Sequence, residues 1–253
     1  DRGGRVVSLL AAELLKLRTT PRSLAGFVLL VVAIGGLGAA GTVGGTPAAE
    51  RDLPQFDADL VGIAEAAALV AILLGITLVT REWRHGTITP TFLATPRRDR
   101  VTLVKLVTAG VVGVLVAVLA LLVVLAVAIP WLAVIDSPLD MNGDVRERIG
   151  LVLMTTALWG LLGAAIGSVV HSQVGATLGT ILWFLLLEPL AAVTLGLLDV
   201  DAVADYLPGS VLSSAGGGPD ESLSVSGGIL VALAYVAVIS TAGIARTSRR
   251  DVT

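Results

Sequence analysis

Six stretches of this sequence run for about 20 residues with almost no charge, and nothing else in the chain limits its possible folds so tightly. They cover about 24–40, 61–79, 106–129, 149–170, 174–198 and 227–245. An α-helix rises about 1.5 Å per residue, so each run can cross a hydrocarbon core of about 30 Å; the shorter first one is helped by its flanks. Composition agrees. The 253 residues are 55% hydrophobic and only 15% charged, with a mean hydropathy of +0.91, against about 25% charged in soluble domains. Unbroken apolar runs do not suit the alternating pattern of a membrane β-barrel, and lipid tolerates an unpaired backbone only in helix or closed barrel. The expected fold is therefore all-α, a polytopic membrane protein of six spans forming a single domain over 1–253. No separate soluble domain fits.

Charge sorts the segments between spans. Those at 1–23, 80–105, 171–173 and 246–253 would share one side, and they hold 14 of the 17 Lys and Arg but only 5 of the 20 Asp and Glu. By the positive-inside rule that side is cytoplasmic, with both termini inside. One helix more or fewer would scatter the cations over both sides, so the sorting also supports the count of six. The opening stretch, DRGGRVVSLL, lacks an initiator Met and shows no cleavable signal peptide, so a tag or a few residues are expected ahead of it. Cysteine is absent, which removes disulfides, thiolate metal sites and cysteine nucleophiles.

Two segments on the basic side have structure of their own. In the first, Val6, Leu9, Leu10, Leu14 and Leu17 fall at helical spacing among Arg5, Glu13, Lys16 and Arg18. That pattern predicts an amphipathic helix over about 4–20 lying in the membrane interface, ended by Thr20-Pro21. The second is the arginine-rich loop TREWRHGTITPTFLATPRRDR, residues 80–100. Topology alone accounts for part of its charge. Its TPTFLATP portion also fits a short helix, with Thr89 as N-cap, Pro90 in the first turn and Thr95-Pro96 closing it. Phe92 and Leu93 would then form a small apolar face that either lies in the lipid interface or docks on a partner protein.

The chain resembles the type-2 ABC exporter permeases, the six-helix membrane subunits of bacterial transporters that pair with a separate ATPase. The likeness covers nearly the whole chain: GRVVSLLAAELLKLRTTPRS at 4–23, REWRHGTITPTFLATPRRDRVTLVKL at 81–106, EPL at 188–190 and YLPGSVLSSAGG at 206–217. The second stretch is the most specific, with Glu82, then Gly86-Thr87, then Pro96-Arg97-Arg98 and Lys105. The resemblance implies that the loop between the second and third spans carries a cytoplasmic coupling helix seated on the ATPase. Its contact residues would be Glu82, Trp83, Gly86, Thr87, Phe92, Leu93, Pro96, Arg97 and Arg98. It also implies that ATP and Mg are bound by that partner, that a second permease chain completes a homodimer or heterodimer, that short re-entrant helices before the sixth span cap the path, and that the chain resides in a bacterial plasma membrane. The chain itself has no G-x-x-x-x-G-K-[ST] phosphate loop, so no cofactor is expected on it. Lipid is an expected partner and nucleic acid is not.

Within the spans, Glu188 lies about 21 Å along the fifth run when counted from Val174. An acid at that depth is costly unless paired, hydrated or protonated, which makes it a candidate for the translocation path; the alternative is a structural hydrogen bond at the Pro189 kink. Trp159 and Trp183 are deep enough to line a cavity or to pack the core. Glu65 reads as an interfacial, snorkelling acid, and Trp131 and Tyr206 as interfacial anchors. His85 and His171 are isolated and make no metal site. In GLLGAAIGS, 160–168, the small residues Gly160, Ala164 and Ser168 recur every four positions and would let helices approach closely. The segment 199–224 is apolar enough to dip into the membrane, or else forms an ordinary loop.

An intramembrane protease would want Ser in a G-x-S-G setting with a nearby His, and a head-group transferase an aspartate cluster at the inner interface; neither pattern occurs. The chain is expected to be non-catalytic. A channel or secondary transporter would predict inverted repeats or several mid-membrane charges. Only one deep acid stands out, so an ATP-driven exporter of a hydrophobic or amphipathic substrate such as a drug, antibiotic peptide or lipid is the expected function, with an ATP-independent transporter as the alternative.

Overall fold

The computed structural model describes residues 21–51, 53, 55–84, 98–170, 172–218 and 223–248. All regular structure among the described residues is helical, with no strand. Helix α1 (Pro21–Gly45) is the first span. The second is built from α2 (Phe56–Gly62), a 3₁₀ turn (Ile63–Ala67) and α3 (Ala68–Arg84). The third and fourth are α4 (Arg98–Val134) and α5 (Gly143–Val169). The fifth comprises α6 (Gln173–Leu182), a π-helical turn (Trp183–Leu187) and α7 (Glu188–Leu197). A short helix, α8 (Pro208–Ala215), precedes the sixth span, α9 (Val225–Ser248). Six helices are thus long and apolar enough to cross a membrane, and the protein is a multi-pass membrane protein.

The fourth span is the hub, and its small residues are the reason. A side chain on Gly163 would strike the Ile72 carbonyl, and one on Gly75 would strike the Gly160 carbonyl, so the second and fourth spans meet backbone to backbone. On another face Gly160 abuts the Ala109 carbonyl and Gly113 abuts Thr156, which brings in the third span. On a third, Ser168 fills the notch at Gly243 in the sixth. Without a hydrophobic drive between helices in lipid, such close dispersion contact is what joins them. The periodic stripe at 160, 164 and 168 therefore serves three neighbours.

Burial falls steeply away from this hub. Of the most apolar window in each span, 67% is buried in the second, but only 17% in the first and 11% in the fifth. These two are peripheral. The third span reaches from Val101 to Val134, 34 residues, or about 51 Å, well beyond the expected 106–129. It passes through Pro130 without ending, and Leu132 beyond it is fully buried. Trp131 packs at Gly44 of α1, so it joins the first and third spans.

Pairings between helix ends check the topology. Arg246 Nη1 donates to the Val169 carbonyl at 3.0 Å, joining the ends of the fourth and sixth spans on the basic side. At the opposite, acidic end the Asp140 amide donates to Asp57 Oδ2 at 2.9 Å. Asn142 caps α5 there by accepting from the Val145 amide at 3.0 Å. The expected interfacial helix at 4–20 lies outside the described residues, as does the coupling loop, including Gly86, Thr87, Phe92, Leu93, Pro96 and Arg97. Glu82, Trp83 and Arg98 lie on helical backbone with side chains outside the description.

Candidate functional site

The fifth span changes its winding at Glu188. Pro189 has no N–H to donate, and its ring crowds the carbonyl one turn back, which disturbs the α-helical bonding at that point. The chain takes a wider π turn over Trp183–Leu187 immediately before it, a substitution that single inserted residues commonly produce. Glu188 is turned inward, only 6% exposed, on a helix whose other large side chains mostly face outward.

Both of its oxygens are used. Trp183, one π turn earlier, donates its indole Nε1–H to Oε2 at 2.8 Å. The backbone amides of Gly209 and Ser210 donate to Oε1, the second at 3.2 Å. Those amides open α8, whose N-cap residue Leu207 has no side chain able to accept them. Glu188 therefore supplies from another span the carboxylate that an N-cap Asp would supply locally, placed where the helix dipole favours negative charge. Glycine at 209 leaves room for this approach, because a Cβ there would sit against the carboxylate.

The same contacts give the depth of α8. Glu188 lies nine residues before the end of α7, about 14 Å along the helix. Tyr235, whose hydroxyl donates to the Tyr206 carbonyl, lies ten residues into α9, about 15 Å. The start of α8 therefore sits well inside the bundle. Over its described residues 199–218 this segment is not an open loop: it turns back, and Val211, Leu212, Ser214 and Ala215 are buried. Its later half lies against Gly228 of the sixth span, where a side chain would strike the Val211 carbonyl and the Ala215 amide.

The far end of α8 carries the opposite charge. Arg148 of the fourth span donates through Nη1 to the Gly216 carbonyl, with the Gly217 carbonyl 3.5 Å away, and its Nη2 pairs with Glu65 Oε2 at 3.1 Å. Glu65 thus does not snorkel; it holds the guanidinium that holds the helix. The 3₁₀ turn at Ile63–Ala67 presents it, while Gly62 leaves room for Arg148 and Gly216 leaves room for Glu65. A cation at a helix C-terminus is worth about 0.3–1 kcal/mol when exposed and up to about 2 kcal/mol when partly buried, and the same holds for an anion at the N-terminus. Helix α8 receives both.

Beside this arrangement lies an apolar cavity of about 260 Å³ between the fourth, fifth and sixth spans. Leu162 and Ile166 form one wall, Gly175 and Gly179 another, and Trp183 and Tyr235 stand where it meets Pro208, the first residue of α8. Of the expected path residues, Trp183 both lines this cavity and holds Glu188. Trp159 packs on Phe184, a cavity residue, with ring centroids 4.7 Å apart at 60°, an edge-tilted pairing aromatic rings favour. Glu188 does not line the cavity; it faces α8. Among the described residues no three His, Asp or Glu come together as metal ligands.

Sequence reading singled out Glu188, Trp183 and Trp159 but missed Arg148, Tyr235 and the glycines at 209 and 216. Arg148 had a signal: it stands at the very start of the fourth apolar run. Compared with known proteins, the chain matches no family model and no curated relative.

Proposed function

We propose that this chain is the membrane subunit of an ATP-driven exporter, moving a hydrophobic or amphipathic substrate by alternating access. The observation that carries the reading is the apolar cavity between the fourth, fifth and sixth spans, reaching from Gly175 near the basic end to Pro208 at the start of α8. Mostly apolar walls with a few polar groups at one end suit a drug-like, peptide or lipid substrate. The fifth span is the least buried of the cavity's walls. Mechanical work would enter at the arginine-rich segment carrying Glu82, Gly86-Thr87 and Pro96-Arg97-Arg98, which fits a partner ATPase that binds ATP and Mg. Closure of that ATPase would bias the bundle between inward- and outward-open states. Two copies, or two related chains, would form the complete path, with the basic side in the cytoplasm of a bacterial cell and the chain in its plasma membrane.

One observation favours a second reading. Glu65, Arg148 and Glu188 put three ionisable side chains inside or at the edge of spans, and intramembrane charge is also the mark of ion-driven carriers. Co-expression separates the two. As an exporter subunit, the chain co-purifies with an ATPase whose hydrolysis rises severalfold on complex formation, and deleting residues 92–96 abolishes the rise. Substrate transport by the purified chain alone in vesicles, driven by an ion gradient, would overturn the exporter reading in favour of the carrier.

A further inference from the structure

We propose that the apolar cavity takes one acyl chain of an anionic phospholipid from the leaflet on the basic side, with Arg246 at its mouth holding the lipid's phosphate. This names a substrate class for the chamber of the proposed function and rests on that reading of the chamber, but not on how transport is powered.

The cavity is a trench that starts at the basic end. Gly175 lies three residues after Ser172, the N-cap of the fifth span, and Trp183 is eight residues further on, about 12 Å. On the fourth span Leu162 and Val170 bound the same length, and Val170 is where that helix ends. Half of a hydrocarbon core of about 30 Å is about 15 Å, so the trench begins at the interface and stops near the bilayer centre. Its fifth-span wall is notched: Gly175 and Gly179 carry no side chains, and a Cβ at 179 would meet nothing within 4 Å. Gly175, Gly179 and Trp183, four positions apart, are exposed as well as lining the cavity. The trench is therefore open sideways to lipid.

Volume decides what can enter. About 260 Å³ over that length admits a single chain and excludes a helix, because a helix with its side chains is about 10–12 Å across and would need several times the space. A hydrocarbon tail is one methylene wide. What it gains in the trench is dispersion contact with walls such as Ile166, Ile239 and the Trp183 ring, the term that joins apolar groups within lipid.

Charge at the mouth selects the head group. Tyr235, Ile239 and Arg246 follow at spacings of four and seven and share one face of the sixth span. The first two line the cavity, and Arg246 continues their row about 10 Å beyond Ile239 toward the basic end. Its Nη1 donates to the Val169 carbonyl at 3.0 Å, which fixes the guanidinium beside Val170 at the mouth. That bond uses one of the five N–H donors of an exposed side chain. The arginine fork matches phosphate geometry, and basic sites between spans suit anionic head groups.

Native mass spectrometry of the full-length chain tests this, with dioleoyl phosphatidylglycerol and dioleoyl phosphatidylcholine as probes that share tails and differ in head group. One phosphatidylglycerol should bind per chain, about fivefold or more tighter than phosphatidylcholine, the scale of one cation beside an anionic head group. Arg246→Gln should erase that preference and Arg246→Lys keep most of it. Gly179→Leu, which fills the trench, should weaken both lipids about tenfold, whereas Gly41→Leu, on the first span with equally open space, should change neither. The unaltered chain gives a second measurement: phosphatidylglycerol brominated on its tails should quench tryptophan emission more than phosphatidylcholine so labelled, and the excess should vanish in Trp183→Phe.

Equal binding of the two lipids, or a preference that survives Arg246→Gln, would overturn the proposal at the head group. Full binding by Gly179→Leu, or no excess quenching, would overturn it at the trench by placing the lipid elsewhere on the surface. A dimer in place of the lipid adduct would give this face to a second copy, and displacement of the lipid by inorganic phosphate would make Arg246 an ion site only. None of these results touches the stimulation of a partner ATPase, on which the exporter reading stands or falls separately.

Discussion

At the scale of single residues, the Arg148–Glu65 pair illustrates why a buried charge cannot be judged by its attraction alone. Both side chains are about a fifth exposed, and removing one partner leaves the other in an apolar setting at a cost of about 3–5 kcal/mol, whereas removing both is often far milder. Arg148→Met should accordingly lower the thermal midpoint in detergent steeply, and Glu65→Leu with Arg148→Met should recover a large part of the loss. A double variant no better than the worse single would mean that Arg148 acts through the Gly216 carbonyl alone. The indole of Trp183 offers a smaller, cleaner test, because Trp183→Phe keeps a ring in the cavity wall while deleting the donor to Glu188. A loss of about 1 kcal/mol is expected, measured by thermal unfolding, with the two bonds to Glu188 from Gly209 and Ser210 retained.

At the scale of elements, the small-residue stripe of the fourth span makes a prediction that follows from space alone. Gly163→Val would drive its side chain into the Ile72 carbonyl, backbone that cannot yield as a side-chain tip can, and overpacking of this kind costs about 1–3 kcal/mol. Gly179→Ala, on the fifth span with nothing within 4 Å of its would-be Cβ, should change stability by no more than about 0.5 kcal/mol. Thermal unfolding of the two variants side by side checks the contrast; equal effects would mean the second and fourth spans are not in backbone contact. The stripe and the spans were legible in the sequence because periodicity and apolar run length are local signals. Span ends were less so: the third run was expected to stop at about Ile129, but the helix carries on through Pro130 to Val134, since neighbouring groups can accommodate the bond a proline removes. What the sequence could not disclose was pairing at a distance. Glu65 and Arg148 are 83 positions apart, and Glu188 and Gly209 are 21 apart. A lone Glu beside a Pro looks the same whether it binds solvent, substrate or the start of another helix. That Glu188 caps α8 followed only from seeing which amides point at that carboxylate.

At the scale of the whole molecule, charge and packing describe two different polarities. Along the membrane normal, 14 of the 17 cationic residues fall in segments on one side, and the Arg246–Val169 and Asp57–Asp140 contacts put the helix ends on the sides that this sorting requires. Across the bundle, density falls from the tightly joined second and fourth spans to the nearly uncovered first and fifth. Superposed, they leave the cavity beside the least buried wall, with the charged contacts of α8 toward the acidic end. The orientation itself is open to direct measurement, because any introduced thiol is the only one present. A cysteine at Ala94, in the arginine-rich segment, should react with an impermeant maleimide in inverted membrane vesicles and not in intact spheroplasts. A cysteine at Met141, half exposed in the turn between the third and fourth spans, should do the reverse. Because the two positions are separated by a single span, labelling of both from one side would remove the third helix as a crossing, and a full exchange of the two results would invert the molecule and place its arginines outside.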